Sequence, residues 1–102
     1  MVPLVRDNLP RITELCRRHR VQRLFLFGSA TSDAFDPRRS DVDFLVVFEP
    51  HEPKGWDDVY FLLLADLKDL LGREIDLIEA HLPRNPYFIA SVNETKQLLY
   101  AA

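Results

Sequence analysis

Apolar positions along the chain follow two periods, and the change from one to the other predicts the elements. Val5, Leu9, Ile12 and Cys16 stand at the i, i+4, i+7, i+11 spacing of one helix face. Asn8 is placed to cap that helix, Pro10 is tolerated in its first turn because an N–H there would have no partner, and the helix ends near His19. Val21–Phe27 is a short run rich in aromatic and branched residues, closed by Gly28, and reads as a strand. Val42–Phe48 reads as a second strand, stopped by Glu49-Pro50; both its faces are largely apolar, which predicts a central place in a sheet. In Trp56–Leu71 the residues Tyr60, Leu63, Leu64, Leu67 and Leu71 share one helical face, and Gly72 supplies the stop. Residues 73–79 form a third strand, and Asn85-Pro86 begins a last helix that carries Phe88, Val92 and Leu99 inward.

Alternating strands and helices place the chain in the α/β (α+β) class, with a small three-stranded sheet flanked by about four helices. Its 102 residues, 47% apolar and 28% charged, suit one domain over residues 1–102. No internal repeat, low-complexity tract or Gly/Ser-rich linker divides it. A chain of this size has no room for a deep cleft between lobes, so an active site must be shallow or shared with a partner. The longest apolar run, residues 59–65, is far below the ~20 residues that span a bilayer. With a single cysteine, Cys16, and no leader-like N-terminal segment, the expected location is the cytoplasm.

The formal charge of −3 speaks against a dedicated nucleic-acid binder, yet it conceals a division. Residues 1–40 carry eight basic against four acidic side chains, and residues 41–102 five against twelve. Arg17, Arg18, Arg20 and Arg23 concentrate the basic side around the end of the first helix, where cations complement the helix dipole; the sharper alternative is a docking patch for an acidic partner. His19, His51 and His81 lie near element ends without ligand spacing and are expected at the surface, and Cys16 belongs to the core. Trp56 and Tyr60 read as core or staple residues, whereas Phe61 and Leu62 exceed what one buried stripe needs and point to a partner.

Chemistry concentrates between the first two strands. Gly28-Ser29 follows a strand and precedes a predicted short helix over residues 29–34, whose unpaired N–H groups suit a phosphate. Asp41 and Asp43 are two apart at the mouth of a strand, so the pleat sends both carboxylates to one face. Oxygen ligands of this kind suit Mg²⁺, which binds through one or two carboxylates together with phosphate oxygens. Asp76 interrupts the apolar run of the third strand, where an acid is costly without a polar or metallic partner. If the last two strands are neighbours, the three carboxylates converge.

Gly28-Ser29, the spacer of residues 30–40, then Asp41-Val42-Asp43 and the later Asp76 resemble the signature of the DNA polymerase beta nucleotidyltransferase superfamily. The chain looks most like the minimal nucleotidyltransferases (MNT), the antitoxin half of HEPN/MNT toxin–antitoxin pairs. This likeness extends through Gly72-Arg73-Glu74-Ile75-Asp76-Leu77-Ile78 and the ending Arg84-Asn85-Pro86-Tyr87-Phe88 to Leu99-Tyr100, nearly the whole chain. It implies a mixed sheet of the polymerase beta palm type. Gly28 and Ser29 would then bind the ATP triphosphate, Asp41 and Asp43 would hold Mg²⁺ (two ions), and Asp76 would complete the metal site or take the proton from the attacking hydroxyl. The implied reaction is AMP transfer to a tyrosine of a HEPN ribonuclease toxin, in a hetero-oligomer with no membrane or direct nucleic-acid contact.

Two departures from the family pattern bear on the site. The spacer is eleven residues, one more than the common spacing, and Ala30 and Thr31 stand where relatives often carry a basic residue. Arg38 and Arg39 are the candidates to supply that charge from the far end of the loop, against solvated loop positions as the alternative. A different functional class also fits: an antitoxin that neutralises its toxin by binding alone. Transfer to a small molecule is disfavoured, because related enzymes of that type commonly carry a further substrate-binding domain.

Overall fold

The computed structural model describes residues 1–50, 56–82 and 84–102. The strands β1 (Val21–Phe27), β2 (Val42–Phe48), β3 (Ile75–Glu79) and β4 (Gln97–Ala101) form one sheet in the order β3-β2-β1-β4. β1 pairs antiparallel with both β2 and β4, and β2 pairs parallel with β3. Parallel pairing needs a crossover, and the long helix α3 (Trp56–Leu71) provides it. Around the sheet lie α1 (Pro3–Arg6), α2 (Leu9–Arg18) and α4 (Pro86–Thr95). The mixed α/β class, the four helices and the internal position of β2 agree with expectation.

The sheet has four strands rather than three. Residues 97–101 were expected to continue the last helix, with Leu99 inward at seven residues from Val92. Instead Lys96 turns extended (φ −59°, ψ 137°), and the chain runs back along β1 as β4, with Leu99 packed against the core from a strand. The edge position of β4 leaves Leu98 exposed.

The core is the face of the sheet that meets α2 and α3. Leu24 and Leu26 of β1, Val42, Phe44 and Val46 of β2, and Ile75 and Leu77 of β3 close upon Ile12, Cys16, Leu63 and Leu67. Cys16 is fully buried, as expected, and burial pushes its thiol up to about 12, which keeps it an unreactive core group. Tyr60 packs on this core while its hydroxyl donates to the Leu77 carbonyl. Phe61 and Leu62 stay exposed, at 63% and 55%.

Three local expectations are corrected. His19 is buried rather than at the surface, because its Nε2 meets Asp66 Oδ2 of α3 at 2.6 Å and so joins the end of α2 to the crossover helix. Asn8 occupies the cap position of α2, but its side chain donates to the Leu4 carbonyl instead of accepting from the helix. The segment after Gly28 is a 3₁₀ turn over Gly28–Thr31, shorter than the helix expected to reach residue 34. His81 is exposed as expected, with its ring beside Glu79; His51 and the side chain of Trp56 lie outside the described residues. No helix among the described residues is long and apolar enough to cross a membrane.

Candidate active site

The register of the sheet assembles the site. Asp43 is the Cα partner of Phe27 across β1 and of Asp76 across β3, so two carboxylates expected from separate motifs stand side by side. Registered partners on parallel strands share a face, and here it is the face opposite the core. Asp41 lies just before β2, next to Val42, whose N–H donates to the Glu74 carbonyl and fixes the start of the β2–β3 pair. Asp41 and Asp76 are exposed, and Asp43 is half-buried.

These acids sense one another. Burial, then the charges of Asp76 and Asp41, push the Asp43 carboxyl up to about 6. A divalent cation would relieve that repulsion, and the donors are oxygen only, so the residues fit Mg²⁺. Among the described residues no three of His, Cys, Asp or Glu are drawn together as a ready-made ion cage. The expected convergence of three carboxylates is thus met only by the registered pair Asp43 and Asp76.

Gly28 closes the near side of the site. Its φ of +75° lies in the left-handed region, and a Cβ built there would stand 2.5 Å from Asp43 Oδ2. Glycine is therefore required twice, for the turn and for the approach of the Asp43 carboxylate. The Gly28 N–H donates to Thr95 Oγ1 at 2.8 Å, and its carbonyl accepts from Thr31 Oγ1 at 2.7 Å. The first of these contacts was missed in the sequence, because Thr95 is 67 positions away and carries no motif. It ties the last residue of α4 to the phosphate-binding candidate. Thr95→Val is expected to leave the Gly28 N–H unpaired and to cost about 1 kcal/mol, read as a lower urea midpoint at unchanged slope.

Ser29 follows in the 3₁₀ turn and is half-buried, while Ala30 is fully buried, so the position after Gly-Ser has no space for a cation. Arg38 and Arg39 are exposed and line a hollow of about 340 Å³ with Asp41, Gly72 and Glu74. The structure thus places both arginines with Asp41, and their hollow is not bordered by Gly28, Ser29 or Asp43.

The spacer that carries them is tied down. Asp36 accepts from the Arg38 N–H through Oδ1 and from the Ser40 N–H through its carbonyl, while Ser40 Oγ accepts from the Asp36 N–H. Arg73, just before β3, donates to the carbonyls of Pro37 and Ser40 and lays its guanidinium over the Phe35 ring at 4.9 Å. Two carbonyls held from one planar fork fix the loop immediately ahead of Asp41. Arg73→Ala is expected to cost about 1.5–3 kcal/mol and to speed proteolytic nicking between residues 35 and 41, with Lys a poor substitute because it lacks the fork.

α4, whose last residue receives the Gly28 N–H, walls the acid-bearing face. Asn85 caps it by accepting from the Tyr87 N–H, as expected, and Phe88 meets Phe27 edge to face at 6.1 Å between centroids. Two residues along from Asp43 and Asp76, the paired Leu45 and Ile78 floor a cavity of about 230 Å³ whose other walls include Phe88 and Val92.

The family model for Polymerase beta, Nucleotidyltransferase matches residues 11–102. No curated protein matches significantly. Among solved structures, one assigned as a candidate minimal nucleotidyltransferase shares 26% identity at a TM-score of 0.72, covering 91% of this chain and 90% of that one. A toxin–antitoxin structure with AMP-PNP gives 21% identity and a TM-score of 0.71, over 93% of this chain and 74% of that one. A tri-AMPylated Shewanella oneidensis HEPN toxin in complex with MNT antitoxin gives 19% and 0.65, over 95% and 72%. At the two lower identities the likeness establishes a shared fold. With the family model spanning all but the first ten residues, the chain belongs to the polymerase beta nucleotidyltransferase family.

Proposed function

We propose that residues 1–102 form one catalytic domain that transfers AMP from ATP to a tyrosine of a HEPN-type toxin, and so act as its antitoxin in the cytoplasm. The observation that carries this reading is the registered pair Asp43 and Asp76, with Gly28 pressed against the Asp43 carboxylate. Nucleotidyl transfer asks for this arrangement, since its in-line displacement needs positioning and charge neutralisation more than covalent help. The AMPylated toxin in a structural relative, and AMP-PNP in another, support the donor and the acceptor. Exposed Phe61 and Leu62 on α3 offer a docking surface for the partner.

Gly28 and Ser29 hold the β- and γ-phosphates, with Arg38 and Arg39 adding positive charge near Asp41. Asp41, Asp43 and Asp76 would hold Mg²⁺, two ions in the full complement, which would supply charge neutralisation to the phosphate oxygens and the pyrophosphate. The acceptor phenol oxygen bonds to the α-phosphorus, the bond from that phosphorus to pyrophosphate breaks, and the phenol proton passes to the Asp76 carboxylate. The products are the tyrosyl-AMP ester and pyrophosphate.

Intact-mass spectrometry tests this on the protein of the adjoining reading frame, co-expressed with this chain or with its Asp43→Ala variant. One or more AMP increments, seen only with the unsubstituted chain, are expected. A stable complex without any increment would instead identify an antitoxin that works by binding alone.

A further inference from the structure

Two threonines grip Gly28, one on each of its peptide groups. Thr95 Oγ1, at the end of α4, accepts from the Gly28 N–H at 2.8 Å, and Thr31 Oγ1 donates to the Gly28 carbonyl at 2.7 Å. Both threonines are half-buried, and neither belongs to the Gly-Ser and Asp-x-Asp signature. Thr31 is one of the two residues at which the chain departs from the family pattern, and its hydroxyl is turned inward to the backbone.

What this grip does follows from the stereochemistry of glycine. A residue without Cβ passes between the two hands of φ at little cost, so the peptide that joins Gly28 to Ser29 can flip unless something holds it. The peptide is trans, and in a trans peptide the C=O and the N–H point to opposite sides. With the Gly28 carbonyl held by Thr31, the Ser29 N–H is turned to the side away from Thr31. With the Gly28 N–H held by Thr95, that donor is used within the protein, and φ stays at +75°, the conformation in which the Asp43 carboxylate lies against the glycine. The rest of the turn is tied separately, by the Val2 N–H on the Ala30 carbonyl at 2.9 Å and the Ser32 N–H on the Ser29 carbonyl at 3.2 Å. The orientation of the Gly28–Ser29 peptide is therefore what the two hydroxyls decide.

We propose that Thr31 and Thr95 are positioning residues for nucleotide binding, which hold this peptide so that the Ser29 N–H and hydroxyl are the phosphate donors while Gly28 supplies the turn and the space. The inference rests on the reading of Gly28 and Ser29 as the phosphate end. A donor fixed before the nucleotide arrives loses no freedom on binding, so removing either hydroxyl is felt as lost affinity in a protein that is still folded.

Two measurements on the full chain with Mg²⁺ and AMP-PNP test this. In amide NMR, AMP-PNP is expected to shift the Ser29 amide saturably, while the Gly28 amide keeps its protection from exchange because its bond to Thr95 persists. In binding titrations, Thr31→Val and Thr95→Val are each expected to weaken AMP-PNP about fivefold or more, and Thr31→Ser and Thr95→Ser, which keep the hydroxyl, to stay within about twofold of the unsubstituted chain. A merely structural role predicts a lower urea midpoint for the valine variants with unchanged affinity of the folded protein, and that result overturns the proposal. A Gly28 amide that loses its protection when AMP-PNP binds also overturns it, since Gly28 itself is then the donor; this readout needs no substitution and decides the matter even where a valine variant does not fold. Failure of the nucleotide reading looks different: the unsubstituted chain binds no AMP-PNP and neither amide moves, and the proposal falls with it.

Discussion

Replacing Asp43 by Asn is expected to lower AMP transfer by at least about 10²- to 10³-fold, the scale on which enzymes lose rate when a charge-stabilising group is removed. The same substitution is expected to make the metal-free protein more stable at neutral pH. Burial and the neighbouring acids hold the Asp43 carboxyl near 6 in the folded chain, above its ordinary 3.8. The fold thus prefers the protonated form. Its favourable contribution is complete below pH 4, diminishes as pH rises, and is lost above about 6. Asn keeps the shape without the charge and escapes that loss. For a half-buried group screened by water the gain is roughly 1–2 kcal/mol at pH 7.5, at about 4–8 °C in Tm per kcal/mol. Urea or thermal unfolding in EDTA at pH 4 and pH 7.5 checks it: the two proteins should coincide at the lower pH and separate at the higher. Equal stability at both would show that Asp43 carries no such strain. Protons also compete with metal below about 6, so metal affinity should weaken as pH falls through that value.

Gly28→Ala is expected to be the most damaging single methyl addition near the site. A non-glycine residue at φ +75° costs roughly 1–2 kcal/mol by itself. Its Cβ would also stand 2.5 Å from Asp43 Oδ2, so the carboxylate must turn away from its working position. Transfer should fall below detection even where the protein still folds. The two causes separate in a double-mutant cycle with Asp43→Ala, which removes the carboxylate but not the backbone strain. The destabilisation by Gly28→Ala should shrink in that background to its conformational part. An undiminished cost would place the carboxylate away from Gly28.

Local chemistry made much of this architecture readable. β1 and β2 begin and end where their apolar runs do, since Gly28 and Glu49-Pro50 punctuate them, and Asn85 caps α4 as its position before Pro86 implies. Asp43 and Asp76 were recognisable singly. What joins them is the parallel register, a tertiary fact that neither strand announces. β4 was hidden because Leu99 falls at helical spacing from Val92, so a face that continues in number ends in space once Lys96 becomes extended. His19 gave no sign of burial, because its partner Asp66 is 47 residues away on another helix. Arg73 and Thr95 were unmarked for the same reason: each serves the site through backbone groups of a distant segment, and backbone groups leave no trace in residue identity.

The link from Gly28 to Thr95 also orders events in time. A ribosome adding about 5–20 residues per second needs roughly 3–10 s to pass from Asp43 to Thr95. Through that interval the nascent chain already carries Gly28, Ser29, Asp41 and Asp43, but it lacks the α4 residue that receives the Gly28 N–H and the β4 strand that covers the edge of β1. A product cut short before Thr95 would display the signature without the partner of the Gly28 N–H or the strand beside β1.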